Sequence, residues 1–450
     1  MHSEKRHPSL VFVHGPGGPD PSWFLPRLSA AHRLRVLWSP TGSTSADAES
    51  ADLFARFGEH TPVPQNMPLR SFIRQEASQW RPDGLLAFSE RVAADTHAAA
   101  FELGLPATEA TAVDRLRSKY QQRVRMAESG IPTPRFQTAD SLQQLRTAVD
   151  IVGLPAVLKP VVGVGSAATY PVDETTDLPG LWRTAEREYL RDPRGNGRMA
   201  FVLEERLSGR NQHRDPRYGD QASVESIVQA GQVRHLTVSA KLPLARHFRE
   251  SGDITPSSLP PHLVNELKAT ATAAIGALEL DHCAVHTEFK LTPDGPRVIE
   301  VNGRIGGGVT QLLHYSAAYD VVGELAAVAT GGRLARLPRQ SRYAAQFLPQ
   351  PPHTATHVVR VPLPEDLMAL PGVVSAEVFS RAGERTDWRR GTSARLARVF
   401  AVAEGAEALL ATNTELNSAA YFDFTHEGAQ KDLAGLGPAD APFPTGVPTP

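Results

Sequence analysis

The chain has 450 residues, of which 41% are hydrophobic and 21% charged, with a formal net charge of -2. That length allows roughly two to four units with sizeable cores and argues against disorder as the main state. The near-neutral balance gives no general attraction to nucleic acid or to an anionic membrane, so small-molecule chemistry is the expected class.

The single cysteine, Cys283, has no internal partner for a disulfide and reads as a small buried hydrophobe. The start MHSEKRHPSL is too polar for the core of a secretory signal. No run approaches the roughly 18 apolar residues that span a bilayer, so the expectation is a cytoplasmic protein with no membrane or nucleic-acid partner.

In chain order, SLVFVHGPGG, LRVLWSP and DGLLAFSE read as strands of a small parallel α/β unit over residues 1–112. The turn at Gly15, Gly17 and Gly18 could seat a phosphate, but without GxGxxG spacing or a following helix a structural turn is the better reading. From Val113 to Glu128 the pattern is one helix, closed by Gly130 before IPTPRF. Strands follow at AVLKP, MAFVLEE, ASVESIVQ, VRHLTVSAK, AVHTEFKL and RVIEVN, with helices at DSLQQLRTAV, LPGLWRTAEREYL and HLVNELKATATAAIGALEL. One long helix, VTQLLHYSAAYDVVGELAAVAT, closes an α+β region over 113–337. Residues 338–425 carry further strand-like pieces and one helix, and 426–450, dense in Gly, Pro and Ala, read as a disordered tail.

Chemistry concentrates in HTEFKLTPDGPRVIEVNGRIGGG. TPDG favours a tight turn, and a hairpin centred on Asp294 sets Glu288 opposite Glu300. Alternation then groups Glu288, Glu300 and Asn302 on one face, with Phe289, Leu291, Ile299 and Val301 on the other. Facing carboxylates repel and call for a cation; bound Mg²⁺ would supply it, and the apo protein should then tolerate loss of either charge. A solvated outer face is the other reading that the hairpin alone leaves open. After the hairpin, Arg304 precedes Gly306, Gly307 and Gly308 at a helix start, a setting that favours an anion. Upstream, Lys159 ends an apolar strand before a loop with Gly163, Gly165 and Ser166, which can hold a polyphosphate, although a strand-end lysine by itself is more often a solvated group. In FVLEERLSG the strand ends abruptly at Glu204 and Glu205, and edge backbone there could read a flat heterocycle.

Taken in order, SKYQQRVRMAESGIPTPRF, PAVLKPVVGVGS, FVLEERLSG, ASVES, HTEFKL and RVIEVNGRIGGG resemble the ATP-grasp superfamily, and within it the carboxylate–amine ligases that include bacterial L-amino acid ligases (dipeptide synthases). The resemblance runs from about Asp114 to Gly332. It implies an α/β and α+β multidomain fold: a pre-ATP-grasp domain (1–112), an ATP-grasp domain (113–337) with a glycine-loop lid (153–205), and a small β-rich C-terminal subdomain (338–425). It also implies ATP with Mg²⁺, or Mn²⁺ in its place, and small-molecule carboxylate and amine substrates.

Carried over by position, the resemblance implies that Lys119 and Lys159 contact ATP phosphates beneath the loop of Gly163, Gly165 and Ser166. Glu204, Glu205 and Leu207 match the adenine hinge; Glu288, Glu300 and Asn302 match the metal ligands; Arg304 matches the arginine that steadies the transferred phosphoryl group. Gly306, Gly307 and the HFRESGDITPS segment, with Arg249 and Glu250, match the substrate side. Gln221 stands where the superfamily commonly has a ribose-binding glutamate, Ser239 where some dipeptide synthases carry histidine, and RNQHRDPRYGD is an unusually polar insertion. Catalysis by an ATP-grasp carboxylase or purine-pathway ligase, and a nucleotide-binding regulator without turnover, are the competing readings.

Overall fold

The computed structural model describes residues 7–163, 165, 168–191 and 199–426. The tail expected over 426–450 therefore lies, beyond its first residue, outside the described residues. Among the described residues the strands fall into four sheets, and no helix is long and apolar enough to cross a membrane.

The first sheet is parallel, in the order Glu59–Pro62, Arg33–Trp38, Ser9–His14, Gly84–Leu86. Leu10 and Phe12 enter one core while Val11 and Val13 enter another, which is why the run LVFV reads as uniformly apolar: both faces are covered. Glu59–Pro62 escapes sequence reading because EHTP is a short, half-exposed edge strand with no apolar alternation. The glycines after Ser9–His14 serve the turn itself, with Gly17 at φ 99° and Gly18 at φ 82°.

Two expected helices are each split. Ala110–Arg117 and Lys119–Glu128 meet at Ser118, whose extended backbone (φ -98°, ψ 109°) stops the first and whose hydroxyl caps the second by accepting from the Gln121 N–H at 3.2 Å. Val309–Ala317 and Val321–Ala329 are separated where Ala318 turns left-handed (φ 51°).

The expected lid is a four-stranded antiparallel sheet in the order Phe136–Ala139, Phe201–Glu205, Ala156–Pro160, Tyr170–Val172. Its core also takes in Leu145, Ala148 and Val152 of the helix Leu142–Val152, so this layer starts upstream of residue 153. The largest sheet has eight strands, in the order Gly295–Asn302, Cys283–Thr292, Gln221–Gln229, Gln232–Lys241, Gly252–Thr255, Tyr343–Phe347, Ala397–Ala403, Val373–Val378. Strands on either side of residue 338 thus share one sheet and one core, in which Ala240 and Ile254 pack with Phe347, Val399 and Leu409. The remaining sheet pairs Ala355–Arg360 with Asp423–His426.

Under the hairpin, Phe289, Leu291, Val298 and Val301 pack with Leu263, Leu267, Ala271 and Ala274 of the helix Pro261–Ala277, whose apolar residues recur at helical spacing. Cys283 joins this core, and burial pushes its thiol up to about 12. Phe289 is fully buried beside Glu288. Its replacement by alanine is expected to cost about 3–5 kcal/mol, read as a lowered urea midpoint in equilibrium unfolding of the full chain.

Candidate functional site

The hairpin reaches the expected pairing by an unexpected route. Its turn pairs Thr292 with Gly295, and the register continues to Phe289 opposite Val298. Continued without change, that register would set Glu288 against Ile299. A bulge leaves Ile299 unpaired and restores Glu288 opposite Glu300, Thr287 opposite Val301 and His286 opposite Asn302. The apolar face therefore uses Val298 in place of the expected Ile299, which is only half-buried.

The helix Lys119–Glu128 holds this bulge. Arg123, 1% exposed, donates from Nη1 to the Val298 carbonyl at 3.1 Å and from Nη2 to that of Ile299. Gln122 binds the Val301 backbone in both directions, at 2.8 and 3.0 Å, and so serves the outer edge of the sheet as a neighbouring strand would. Arg123 also meets Glu204 in a two-pronged pair, at 2.9 and 3.0 Å. Lys159 binds the same carboxylate at 2.8 Å. Burial alone would raise the Glu204 carboxyl, but Arg123 and then Lys159 outweigh it and hold it at about 2. Burial pulls the Lys159 ammonium below its usual range, Glu204 opposes that, and Arg123 and Lys119 add to it. The solvated strand-end reading of Lys159 is thus replaced by a buried cation, 7% exposed.

Lys119 lies at the first turn of its helix, its N–H on the Val161 carbonyl (2.9 Å) and its ammonium on the Gly163 carbonyl (2.9 Å) and the Glu300 carboxylate. Glu288 is met by His286 Nε2 at 3.0 Å, while His286 Nδ1 is 2.5 Å from Glu225, a carboxylate with no exposure. Burial would lower the imidazole, yet Glu225 and Glu288 raise it to about 10, so it is an imidazolium at neutral pH. Glu288 would likewise be raised by burial but is held well below the carboxylate range by His286, Lys241 and Arg304. The repulsion between the two glutamates is therefore answered inside the protein, by Lys119 on one and His286 on the other. This corrects the expectation that the two glutamates repel each other unanswered until Mg²⁺ binds.

Among the described residues no three His, Cys, Asp or Glu side chains already stand in a metal-holding arrangement. Glu288, Glu300 and Asn302 offer two carboxylates and an amide, hard oxygen donors that fit Mg²⁺ sharing its shell with phosphates. Arg304 is drawn to the N-terminal unit, with Nε 2.8 Å from Glu90 and Nη1 on the Ile305 carbonyl at 3.1 Å.

Several expected contacts are already engaged. The Gly306 N–H donates to Glu225 at 3.1 Å, and a Cβ there would lie 2.8 Å from His286 Nδ1, so Gly306 fits the carboxylate beneath it and its amide is not open to a substrate. No close neighbour surrounds the Cβ direction of Gly307. Phe201–Glu205 has a strand on each side, and the Glu205 and Arg206 amides bind the Arg135 and Pro155 carbonyls at 2.8 and 3.0 Å. The edge expected at Glu204 and Glu205 begins only at half-buried Leu207. Arg249, 1% exposed, donates to the Arg246 and Pro351 carbonyls at 2.9 and 2.8 Å and so shapes its loop; Glu250 pairs with Lys241 at 2.9 Å. Gln221 opposes Lys290, which binds Asp220 at 2.7 Å. The polar insertion folds on itself, with Asn211 donating to the Asp215 and Tyr218 carbonyls and His213 stacked on Tyr218. The Gly165 carbonyl accepts from the Thr392 N–H at 3.1 Å, and Ser166 lies outside the described residues.

Sequence reading passed over Arg123, Glu225, His286, Lys241 and Glu90. Glu225, a lone charge inside the apolar run ASVESIV, carried the clearest signal.

Because Glu204 has a depressed carboxyl, its contribution is fully present above the ordinary carboxylate range and is lost as pH falls toward 2. Replacing Glu204 with Gln strands two buried cations, with an expected loss of roughly 3–5 kcal/mol at pH 7. Urea melts of both proteins from pH 7 to 2 should converge in stability as the acid end is reached.

Residues 152–311 match the family model described as an ATP-grasp domain. The alanine–anticapsin ligase of Bacillus subtilis is 26% identical over 269 residues, which cover 58% of this chain and 56% of that protein. A formate-dependent phosphoribosylglycinamide formyltransferase of Hydrogenovibrio crunogenus is 29% identical over 121 residues, 26% of this chain and 30% of its own. The chain thus spans about half the length of the first of these relatives. The crystal structure of an L-amino acid ligase from Bacillus licheniformis superposes with a TM-score of 0.77 at 21% identity, covering 94% of this chain and 100% of that one. Residues 152–311 are thus similar to an ATP-grasp domain, the chain shares the fold of that amino acid ligase, and it resembles the amide-forming ligases of the superfamily.

Proposed function

We propose that the protein is an ATP-dependent carboxylate–amine ligase that forms an amide or peptide bond between amino acid or small peptide substrates and releases ADP and phosphate. The observation that carries this reading is the register of Glu288 opposite Glu300, with Asn302 and Arg304 following on the same strand and turn. A carboxylate is a poor electrophile; accepting the γ-phosphoryl group of ATP turns it into an acyl phosphate with a good leaving group, which an amine displaces. An ATP-grasp domain implies ATP and, in general, a divalent cation.

In this reading Glu288, Glu300 and Asn302 would hold Mg²⁺, which when bound neutralises phosphate charge. Lys119 and Lys159 hold the polyphosphate from the other side, and Lys119 exchanges its hold on Glu300 for a phosphate oxygen. Arg304 leaves Glu90 to meet the transferred phosphoryl group and the tetrahedral oxyanion, where fixed positive charge stabilises most. Leu207 begins the backbone that receives adenine, and the segment around Gly163 and Gly165 covers the phosphates and keeps water from the acyl phosphate. Arg249 shapes the substrate loop and Glu250 faces the substrate.

The test is a screen of paired amino acids for ADP and phosphate release, with products identified by mass spectrometry. ADP and a dipeptide are expected. AMP with pyrophosphate, or turnover only with bicarbonate, formate or a ribosylamine, would sink this reading in favour of adenylation or of carboxylase or purine-type chemistry, and absence of any turnover would favour a regulator. Glu300→Gln is expected to abolish most turnover and, by stranding Lys119, to lower apo stability by about 1–3 kcal/mol. ADP-release assays across a Mg²⁺ series beside thermal melts check both, and retained activity at ordinary Mg²⁺ would rule out the metal role.

A further inference from the structure

The lid layer packs as a unit of its own, with a core drawn from residues 139–203. Polar contacts join it to the rest of the chain at two ends. At one end buried Arg123 grips Glu204, and Lys119 meets the Gly163 carbonyl. At the other end the contacts run to a short 3₁₀ segment beyond residue 338, Trp388–Ala394. The Thr392 N–H donates to the Gly165 carbonyl at 3.1 Å. Arg389, its side chain 52% exposed, reaches Glu188 of the lid helix at 3.5 Å and lies as far from Asp387 beside it. Tyr170 of the lid donates to the same Glu188 carboxylate.

The same segment holds the loop from Ala245 to Glu250. Thr392 Oγ1 accepts from the Glu250 N–H at 3.2 Å, and Gln350 donates to the carbonyls of Glu250 and Thr392 at 2.8 and 3.4 Å. The His247 ring lies flat on Trp388, with centroids 3.7 Å apart and planes 13° from parallel, and the Arg389 guanidinium is 4.7 Å from the same indole. His247 and Phe248 both have left-handed backbone, at φ 64° and 59°. Residues other than glycine keep that conformation only where their surroundings impose it. Here Ala245 and Arg249 close the turn between them, and the buried Arg249 side chain ties it to the Arg246 and Pro351 carbonyls. The strained turn thus presents His247 to Trp388 in a fixed position.

The two ends of the lid differ in kind. Separating Arg123 from Glu204 would strand charge in the interior, whereas an ion pair as exposed as Arg389 with Glu188 contributes little and opens readily. Motion of the lid therefore pivots at the buried end and releases at the exposed one. We propose that Trp388–Ala394 is a clasp that holds the free end of the lid over bound nucleotide and, through Thr392, ties lid closure to the position of the loop from Ala245 to Glu250. Arg389 and Thr392 are then positioning residues, which act on the nucleotide only through the lid. Retention of nucleotide rests on the ATP-dependent reading above, while the clasp itself is present in the chain without ligand. Because the clasp must part before the lid opens, it slows release of ADP, and a shift of the tied loop alters that release in turn.

The test loads the full-length protein with Mg²⁺ and the fluorescent N-methylanthraniloyl derivative of ADP, and follows dissociation by stopped flow against excess ADP. Arg389→Ala and Glu188→Ala should each speed dissociation about two- to fivefold, and the double variant should be no faster than the faster single one, because all three break one contact. Separate structural damage would instead multiply the two effects. Thr392→Val keeps the N–H that meets Gly165 but loses the acceptor for Glu250, and it too should speed dissociation. Unchanged dissociation in Arg389→Ala or in Thr392→Val, or multiplied effects in the double variant, overturns the proposal. Should Glu188→Ala not fold, Glu188→Gln takes its place in the cycle. Hydrogen exchange without nucleotide separates the clasp from the nucleotide reading. In the Glu188 variant, exchange in a peptide spanning 388–395 should rise as the Thr392 amide loses its cover from Gly165, and no rise overturns the clasp. A wild type that binds no ADP derivative refutes the nucleotide reading, and with it the retention role, whatever the exchange shows.

Discussion

The Arg123 guanidinium is the point on which the rest of the candidate site depends. One buried group joins the helix that begins at Lys119, the lid strand that ends in Glu204, and the two carbonyls on either side of the hairpin bulge. Through Glu204 it also fixes where the Lys159 ammonium can be. Such a buried pair contributes little as a source of net stability, because desolvation cancels most of the attraction. It is a strong constraint on geometry, since any rearrangement that separates the charges leaves one of them unanswered in the interior. The bulge, the register of the glutamates and the position of the lid strand are thereby tied to a single planar group.

Charge at the site follows one pattern. Three carboxylates at the site each face a cation: Glu300 faces Lys119, Glu288 faces His286, and Glu204 faces Arg123 and Lys159. Glu225 lies beneath the chain and holds both His286 and the Gly306 N–H, so the turn leading out of the hairpin is positioned by the same imidazolium that faces Glu288. These charges are therefore answered within the protein, and in the proposed reading ligands would enter by exchanging counter-charges, with little new charge to bury. Arg304, at rest on Glu90, is the clearest example.

Much of this architecture was legible in the sequence because local rules carried it. The parallel N-terminal strands, the hairpin around TPDG and the amphipathic helix Pro261–Ala277 each follow from apolar periodicity and turn chemistry. The pairing of Glu288 with Glu300 was legible by a compensation of errors: a turn centred between Pro293 and Asp294 in place of on Asp294, and a bulge that shifts the register back. Bulges carry no local signature, and this one is specified by Arg123, more than 170 positions earlier in the chain. The same non-locality hid the breaks at Ser118 and Ala318. It also hid the burial of Lys159, whose partner Glu204 comes from a strand that pairs with its own only in three dimensions. Solvated lysine is the usual case, and nothing within AVLKP marks the exception.

The eight-stranded sheet runs unbroken from the hairpin to Val373–Val378, and Gly252–Thr255 hydrogen-bonds Tyr343–Phe347 as its neighbour. The stretch beyond residue 338 is thus no detachable cassette. A chimera joined there would give Ile254 and Ala240 a foreign neighbour in place of Phe347 and would leave Asp253 facing whatever residue replaced Gln346. Swapping C-terminal segments between related chains would therefore reach across the sheet to the face that carries Glu288 and alter more than the periphery of the molecule.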